Sequence, residues 1–391
     1  MDLRILGVVA EYDPFHRGHA YHLSEARRLL SPDAVFVALS PCFTQRGAPA
    51  LLSPHDRAAC ALAAGADAVF ALPVTWAVRD AENYALGAVS LLAGLGATHL
   101  AFGAEEPDLS RLRAAADLLD DPPEGFTRAL KAALSAGAGY PAALSQAAES
   151  ALPSAGALLS APNNTLAVCY LRAIRRLKAA LEPVVVPRLG AYRAEAVDAA
   201  FPSASAVRSA LRRGDWAGAM PALPPASASR VRAAGLAGTL PDPAAWDLLL
   251  LSRLREMPKE AFPALPDAGE GLGNALESLR FTVLSGDELR RRLTSRRYSA
   301  ARVSRLLAHA LLGLTGEGLR SLPPPTDTLL LGLRRNPALT AAWKDRPLRV
   351  HPTGAAWAPF ADPADLLAWR LWALICHRPA TLPFTEKTVS V

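Results

Sequence analysis

The sequence has little cysteine: only four of its 391 residues are cysteines, and they lie far apart along the chain. No Cys-x-x-Cys pair or Cys/His spacing suggests a metal site, which argues against a zinc module or a disulfide-stabilised secreted fold. We expect four reduced, buried thiols in a cytoplasmic protein. No apolar run is long enough to span a bilayer, and the first residues lead directly into a predicted strand, so no membrane span and no signal peptide are expected.

Aromatic and charged residues are also modest, at 6% and 20%, whereas 51% of the residues are hydrophobic. This balance is typical of a globular protein with a large core, and the length allows two domains. The formal net charge of +6 permits an anionic partner without requiring one. We place the domain boundary near residue 215, where the sequence pattern changes.

Before that boundary, short apolar runs alternate with amphipathic helical segments. This alternation predicts an α/β domain with a parallel sheet covered on both faces, in which ligands bind at the carboxyl ends of the strands. The predicted strands are 3–9, 33–40, 67–72, 98–103 and 183–189.

Beyond the boundary, residues 216–391 are predicted to be mainly helical, with a small mixed part at the end. Residues 246–315 indicate consecutive helices without strands between them. Two further strands are predicted at 327–333 and 347–351, followed by a helix at 363–377.

The loop after the first strand contains His16-Arg17-Gly18-His19, and a helix is predicted from His19 to Leu30. A helix N-terminus offers unpaired N–H groups to a phosphate, and Gly18 lets a nucleotide approach the backbone. The two imidazoles could donate hydrogen bonds to phosphate oxygens. Such a loop is often only a turn, but its place after the first strand favours a phosphate site.

Two other loops should open at the same edge of the sheet. The loop after the second strand carries Ser40, Gln45 and Arg46, and its arginine could bind a phosphate or a carboxylate, or else be a solvated surface residue. Gly103, at the end of the fourth strand, would let an adenine or ribose lie against the backbone, unless it only serves a turn.

Three polar groups follow later in the predicted α/β domain. Asn163 and Asn164 precede a helix, either as caps or as partners of a nucleotide base or ribose. Arg188 ends the fifth strand, where a phosphate could bind. Ser205 and Arg208 begin another helix and could form a second anion site, although an ordinary N-cap with a surface arginine is the simpler interpretation.

The segment 290–305 contains seven arginines and no acidic residue. Such a run is usually a solvated helix face, but arginines interleaved with Tyr298 and hydroxyl residues suit a phosphate backbone. We therefore predict a nucleic-acid contact at Arg290, Arg291, Arg296, Arg297, Arg302 and Arg305.

With these residues in view, the chain resembles the bacterial tRNA(Met) cytidine acetate ligase family, a branch of the HIGH-motif nucleotidyltransferases. The resemblance covers about the first 210 residues and extends more weakly into the second half through RRYSAARVSRLLAHALLGL at 296–314. The motifs that carry it, in order, are GVVAEYDPFHRGHAYHL at 7–23, FTQRGAPA at 43–50, DAVFALP at 67–73, FGAEE at 102–106, PNNTLAVCYLRAI at 162–174, RLGAYR at 188–193 and SASAVR at 203–208.

The resemblance implies a Rossmann-like nucleotidyltransferase domain at 1–215 and a tRNA-binding domain at 216–391. It implies that ATP, with Mg²⁺, activates acetate, and that the acetyl-adenylate acylates N4 of the wobble cytidine of elongator tRNA(Met). His16, His19 and Arg208 would be catalytic, and Ser40, Gln45 and Arg46 are candidates for holding acetate or phosphate. The implied ATP-binding residues are Gly7, Val8, Val9, Ala10, Glu11, Tyr12, Asp13, Pro14, Phe15, His16, Arg17, Gly18, His19, Ala20, Gly103, Asn163, Asn164, Arg188 and Ser205.

The chain departs from the family pattern at three places. Asp13 stands where the family usually has asparagine, and its carboxylate would repel phosphates unless it is paired. Pro41-Cys42 replaces a more typical Gly-Asn in the loop that should face the acid, and Cys169 stands where an acidic residue is common. No dedicated cluster of acidic metal ligands is evident in the sequence.

Other functions remain open at this point. A small-molecule adenylyltransferase would share the histidine loop but would not need the arginine-rich half. A class I aminoacyl-tRNA synthetase would need a Lys-Met-Ser-Lys-Ser-type loop, which the sequence lacks. A protein that binds nucleotide or RNA without catalysis would bind ATP without releasing pyrophosphate.

Overall fold

The protein is described here from a computed structural model, which covers residues 3–188, 203–335, 339, 343, 346–381 and 385–391. Strands from both halves of the chain form a single eight-stranded sheet. Their bounds are β1 (Ile5–Ala10), β2 (Ala34–Leu39), β3 (Ala68–Ala71), β4 (His99–Ala104), β5 (Glu182–Pro187), β6 (Asp327–Leu333), β7 (Arg349–His351) and β8 (Val389–Ser390).

The strand order is β5-β4-β1-β2-β3-β6-β7, with β8 paired to β6. The five strands predicted in the first half are all present, and they pair in parallel. From β1 the chain first adds strands on one side and then crosses to add β4 and β5 on the other. The carboxyl ends of β1 and β4 therefore flank the point where the strand order reverses, which is where open α/β sheets bind their ligands.

Helices cover the sheet and form most of the second half of the chain. Those of the first half are α1 (Arg17–Leu30), α2 (Pro54–Ala63), α3 (Val74–Ala77), α4 (Ala81–Gly94), α5 (Leu109–Asp120), α6 (Glu124–Ser135), α7 (Tyr140–Ala151), α8 (Ala155–Ser160) and α9 (Pro162–Arg176). Those that follow are α10 (Ala204–Arg212), α11 (Trp216–Ala219), α12 (Pro225–Leu236), α13 (Pro243–Glu256), α14 (Leu272–Leu279), α15 (Gly286–Leu293), α16 (Ala300–Leu312), α17 (Gly316–Arg320), α18 (Gly354–Trp357) and α19 (Pro363–Ile375).

Two apolar clusters bury the two faces of the sheet, because neighbouring side chains of a strand point to opposite faces. Phe36 and Phe70 lie in the cluster on one face, together with Leu92 of α4. Val35 and Val37 lie in the other, which α19 completes from the far end of the chain. Burial on both faces explains why β2 is an unbroken apolar run rather than an alternating one.

The second half of the chain contributes to the main sheet as well as forming helices. Residues 246–315 are helical without intervening strands, as predicted, and they bury their own apolar cluster. β6, however, pairs antiparallel with β3, so the C-terminal strands extend the sheet of the first half. The domain division near residue 215 stays a prediction. Within the part of the chain that is described, no helix combines the length and apolar character needed to cross a membrane.

The four cysteines are free and buried, as the sequence predicts. Cys169 lies in the core between the sheet and its helices, where burial raises the pKa of its thiol to about 12. The residue therefore acts as an apolar packing group in this cluster.

Candidate nucleotide site

The N-terminus of α1 faces the strand ends with its N–H groups free of acidic side chains. α1 begins at Arg17, two residues before the predicted start, and His16 is its N-cap in an extended conformation. The first turn contains no acidic residue, and two arginines lie in the last turn. The partial positive charge at the N-terminus is therefore not neutralised within the helix, which suits a bound phosphate.

The two histidines of the loop lie against each other. Their rings are stacked with centroids 3.7 Å apart and an interplanar angle of 17°. The His16 backbone N–H donates to His19 Nδ1 at 3.2 Å. Because Nδ1 of His19 is the acceptor, a neutral imidazole carries its proton on Nε2, and this N–H is left as a donor. Tyr12 and Phe15 pack against the His19 ring from the side.

The histidines of α1 are held neutral. Burial, followed by the charges of Arg188 and Arg208, lowers the pKa of His16 to about 3. Burial is also the main cause that lowers the pKa of His19 well below its usual range, with the neighbouring histidines and the same two arginines adding to it. Both imidazoles are therefore neutral and able to donate a hydrogen bond to a ligand, and the charges of Arg188 and Arg208 act on both of them.

We expect the depressed pKa of His16 to make stability depend on pH. Protonation favours the unfolded chain, so this contribution is complete above about pH 6.5 and is lost as the pH falls toward 3. The loss is at most roughly 1.4 kcal/mol per pH unit for one histidine. Urea unfolding of the protein and of His16→Asn at pH 7 and pH 5 should show a smaller pH effect in the variant. An identical pH effect in both proteins would contradict this account.

Asp13 is paired rather than free. Its side chain is 1% exposed, Oδ2 lies 3.3 Å from Arg208 Nη1, and Oδ1 accepts a hydrogen bond of 2.5 Å from the Leu51 N–H. Arg208 also donates to the Asp13 carbonyl. The ion pair offsets the negative charge that was expected to repel phosphates at this position. It also holds the start of α10 against the first loop.

Three atoms of the first loop are buried and make no hydrogen bond within the described part of the chain: Tyr12 Oη, Asp13 Oδ2 and His16 Nδ1. For Asp13 Oδ2 the contact with Arg208 is an ion pair without hydrogen-bond geometry. Buried polar atoms are normally hydrogen-bonded, so such a group in one loop points to a polar ligand.

The loop after β2 is joined to the first loop. The Gln45 N–H donates to Glu11 Oε1 at 2.6 Å, and Gln45 Nε2 donates to the Arg79 carbonyl at 2.5 Å. Ser40 is buried with its hydroxyl 3.4 Å from that of Tyr84. The structure thus brings Ser40 and Gln45 beside the histidine loop.

The rest of this loop packs against the helical half of the chain. Gly47 has a positive φ of 81°, and a Cβ there would lie 2.7 Å from that of Ala308 in α16. Only glycine satisfies both requirements without strain. Arg46, the other candidate in this loop, is exposed.

Gly103 lies in β4, near its carboxyl end. A Cβ at this position would make ordinary van der Waals contact with His22 Cδ2 at 3.8 Å and the Val186 carbonyl at 3.9 Å, so no close packing requires a glycine there. A Cβ at Gly7 would instead lie 2.9 Å from Leu92, which gives that glycine a packing reason. The remaining residues predicted before the turn, Val8, Val9 and Ala10, belong to β1.

The two asparagines at the start of α9 are bound to a carboxylate. Glu105 accepts from Asn163 Nδ2 at 2.6 Å and from the Asn164 N–H at 2.9 Å. The buried Asn164 accepts from the Glu106 N–H at 3.1 Å. Neither asparagine is the N-cap, which is Ala161. Because Glu105 occupies the N-terminus of α9, that helix does not offer the anion site that α1 does.

α10 begins with Ser203 as its N-cap, whose hydroxyl accepts from the Ala206 N–H at 3.2 Å. Ser205 Oγ lies 3.2 Å from that hydroxyl.

Arg188 follows β5, and its backbone N–H donates to the Ala104 carbonyl at 2.9 Å. Most of the predicted motif at 188–193 lies outside the described residues.

The other polar loop residues have structural contacts. The exposed Arg17 donates through Nε to the Pro221 carbonyl at 2.7 Å. Pro14 and Phe15 are buried in the loop, whereas Gly18 and Ala20 are partly exposed at the start of α1. Among the described residues, no group of three or more histidine, cysteine or acidic side chains is arranged to hold a metal ion.

The arginines predicted to contact nucleic acid fall into two groups. Arg302 and Arg305 are engaged with the loop before α14: Arg302 pairs with Glu270 at 2.8 Å, and the buried Arg305 pairs with Asp267 at 2.9 Å. The more exposed group comprises Arg290, Arg291, Arg296 and Arg297. Of these, Arg290 pairs with Asp287 at 2.7 Å, and Arg297 lies 3.8 Å from Glu270.

Sequence reasoning missed three residues near these loops. His22 lies one turn beyond His19, and burial lowers its pKa to about 4; the three-residue spacing of His16, His19 and His22 on one helix was the available signal. Glu105 was inside a recognised motif without being assigned a contact. Arg57 is buried at the strand ends, and nothing in its local sequence separates it from a surface arginine.

A stacked pair of imidazoles lies at a helix N-terminus beside the switch point of a parallel sheet, the arrangement that the sequence predicts for a nucleotidyltransferase of the HIGH class. The model of the HIGH Nucleotidyl Transferase family matches residues 3–339. A tRNA(Met) cytidine acetate ligase of Lysinibacillus sphaericus is 31% identical over 347 residues, covering 85% of this chain and 84% of the relative. The ligase of Syntrophomonas wolfei is 35% identical over 320 residues, covering 80% and 77%. The chain belongs to the tRNA(Met) cytidine acetate ligase family.

Solved structures agree with the fold. Thermotoga maritima TmcAL, crystallised with alpha-thio ATP, aligns over 100% of both chains with a TM-score of 0.90 at 24% identity. The apo form of the same protein aligns over 100% of both chains with a TM-score of 0.93. The mostly parallel sheet with flanking helices is therefore shared along the whole chain.

Proposed function

We propose that this protein activates acetate with ATP and transfers the acetyl group to N4 of the wobble cytidine of elongator tRNA(Met). The observation that carries the proposal is the stacked His16–His19 pair at the N-terminus of α1, on which the charge of Arg208 acts. Membership of a family whose relatives are named for this reaction supports the choice of substrates.

In the first step, an acetate oxygen attacks the α-phosphorus of ATP, and pyrophosphate leaves. Two anions must be brought together, so the protein's main contribution is to position them and balance their charge. The N–H groups of α1 and Nε2–H of His19 would bind phosphate oxygens, and Arg188 and Arg208 would supply positive charge. Each well-placed donor contributes on the order of 2–4 kcal/mol to the transition state.

Acetate would lie between the first loop and the loop after β2. The Gln45 N–H donates to Glu11 of the first loop, Ser40 is buried at the start of the loop after β2, and the exposed Arg46 is the candidate for the carboxylate partner. Cys42, one of the residues that depart from the family pattern, is fully buried in the apolar cluster on one face of the sheet.

Mg²⁺ would accompany the triphosphate, supplying charge neutralisation when bound. The nearby carboxylates do not form a ready site for it: Asp13 is paired with Arg208, and Glu11 accepts from the Gln45 N–H. The oxygen ligands of the ion would therefore come from the ATP phosphates and water.

In the second step, N4 of the wobble cytidine attacks the acetyl carbonyl carbon of the acetyl-adenylate, AMP leaves and N4 loses a proton, so the tRNA must lie close to the adenylate. The exposed arginines of α15 and the following turn are proposed as phosphate contacts. Arg212, one turn after Arg208 on α10, has its pKa lowered by burial and then by Arg208 and Arg290. Positive charge thus continues from the nucleotide site toward α15.

The test of the proposal is ATP–pyrophosphate exchange with a panel of carboxylic acids, followed by mass spectrometry of the tRNA. We expect exchange to depend on acetate, and N4-acetylcytidine to form in elongator tRNA(Met) only when ATP and acetate are both present. Exchange with another acid but not with acetate would refute acetate as the substrate while supporting the adenylation chemistry. ATP binding without pyrophosphate exchange would refute the proposal that the protein is an enzyme.

Reversing the charge at Arg296 and Arg297 should weaken tRNA binding and leave acetate-dependent exchange unchanged. Each lost phosphate contact should reduce the slope of binding against salt concentration by about one. Filter binding across a salt series measures this, with Arg4→Glu at the opposite end of the sheet as the control. Unchanged tRNA affinity would remove this segment from the interface, and equal losses of tRNA and ATP binding would indicate misfolding.

A further inference from the structure

Arg57, on α2, is a fully buried cation that binds only carbonyl groups among the described residues. Its side chain is 0% exposed, and no carboxylate lies within ion-pair distance in that part of the chain. Nε donates to the Leu52 carbonyl at 3.1 Å, and Nη1 donates to the carbonyls of Glu11 at 2.7 Å and Ser40 at 2.8 Å. Nη2 donates to the Pro41 carbonyl.

The acceptors come from three separate stretches of the chain. Glu11 follows β1 and belongs to the histidine loop, whereas Ser40 and Pro41 follow β2 and belong to the proposed acid loop. A buried guanidinium without hydrogen bonds would be very costly, so these carbonyls must converge on it. The planar group with its five N–H donors fixes the angle as well as the distance between the two loops.

Other contacts tie the same two loops together from the outside. Glu11 Oε1 accepts from the Gln45 N–H at 2.6 Å, and Asp13 Oδ1 accepts from the Leu51 N–H at 2.5 Å. Arg57 therefore connects the loop that would bind ATP to the loop that would bind the acid.

We propose that Arg57 is a positioning residue that sets the distance between the carboxylic acid and the α-phosphate of ATP by holding the loops after β1 and β2 together. The proposal rests on the function proposed above. Arg57 touches neither substrate: it is enclosed by carbonyls, and it acts through Glu11 and the Ser40–Pro41 backbone. Because near-attack geometry is needed for an in-line displacement, a displacement of about 1 Å between the two loops can lower the rate roughly 100-fold.

The test compares Arg57→Ala and Arg57→Lys with a matched control, Arg280→Ala. Arg280 is also a largely buried arginine that donates to a carbonyl, that of Met257, but it lies in the helical half of the chain. Three quantities are measured for each folded variant: kcat and KM for exchange, the thermal unfolding midpoint, and amide hydrogen exchange in peptides covering residues 40–52. Arg57→Ala is also assayed with millimolar guanidinium and with millimolar methylammonium.

We expect Arg57→Ala to lower kcat roughly 100-fold and raise KM for the acid, with a smaller change in KM for ATP. Amide hydrogen exchange in residues 40–52 should become faster. Guanidinium, but not methylammonium, should restore both kcat and the slow amide hydrogen exchange. Arg57→Lys should recover little, since one ammonium group cannot reach all four carbonyls. Arg280→Ala should lower only the unfolding midpoint.

The proposal would be overturned if folded Arg57→Ala kept the native kcat and KM and the native amide hydrogen exchange in residues 40–52. It would also be overturned if Arg57→Ala lowered the unfolding midpoint as much as Arg280→Ala does without any change in kcat or KM. If the unmodified protein shows no ATP–pyrophosphate exchange with any acid, the proposed function fails. The comparison of amide hydrogen exchange still decides whether Arg57 holds the two loops together.

Discussion

Replacing His19 with asparagine should lower kcat for acetate-dependent exchange by roughly 10²–10³-fold, whereas glutamine should retain more activity. Asparagine places an acceptor where Nδ1 stands, so it keeps the bond from the His16 N–H but loses the donor at Nε2. Glutamine can place its amide N–H near Nε2. The order of activity, native above glutamine above asparagine, identifies Nε2–H as the group that binds the phosphate.

His377→Ala is the control for this series. His377 is exposed and paired with Asp242 at 3.0 Å, away from the strand ends that carry the loop. The His377→Ala variant should catalyse acetate-dependent ATP–pyrophosphate exchange at the native rate. Equal rates for the native protein and His19→Asn would exclude a role for this imidazole in the first step, and equal losses in the asparagine and glutamine variants would assign the effect to packing.

Replacing Arg208 with alanine should weaken ATP binding by on the order of 2–3 kcal/mol, or about 30- to 150-fold. The variant loses a cation, and it also leaves the buried Asp13 carboxylate without its partner beside a triphosphate. Isothermal titration calorimetry with ATP and Mg²⁺ measures the change.

The ion-pair account also predicts that a second substitution partly restores binding. Asp13→Asn removes the stranded charge and keeps an oxygen that can accept from the Leu51 N–H. Arg208→Ala combined with Asp13→Asn should therefore bind ATP more tightly than Arg208→Ala alone, which a double-mutant cycle quantifies. If the double variant binds ATP more weakly than either single variant, Asp13 makes a favourable contact with the nucleotide that this account lacks.

The first strand, loop and helix were predictable because their signals are local. The apolar run at β1, the glycine between two histidines and the periodicity of α1 all lie within the first 30 residues. The stacked imidazoles confirm that the two side chains come together. Their assignment to ATP stays a prediction.

Contacts between distant parts of the chain were not predictable in the same way. Arg208 reaches Asp13 across 195 positions, and no local pattern in either segment announces that pair. The arginine run at 290–305 shows the converse: the absence of acidic residues within it suggested a free basic surface, yet Asp267 and Glu270, from an earlier loop, pair with three of its arginines. β6 likewise gave a strand signal but no indication that it would pair antiparallel with β3.

The measurement that tests the account most directly is a crystal structure of the protein with a non-hydrolysable ATP analogue and Mg²⁺. The account predicts a phosphate oxygen within about 3.2 Å of His19 Nε2, with the triphosphate over the N-terminus of α1 and Arg208 turned toward it. A nucleotide bound elsewhere, with both imidazoles directed into the protein interior, would contradict it.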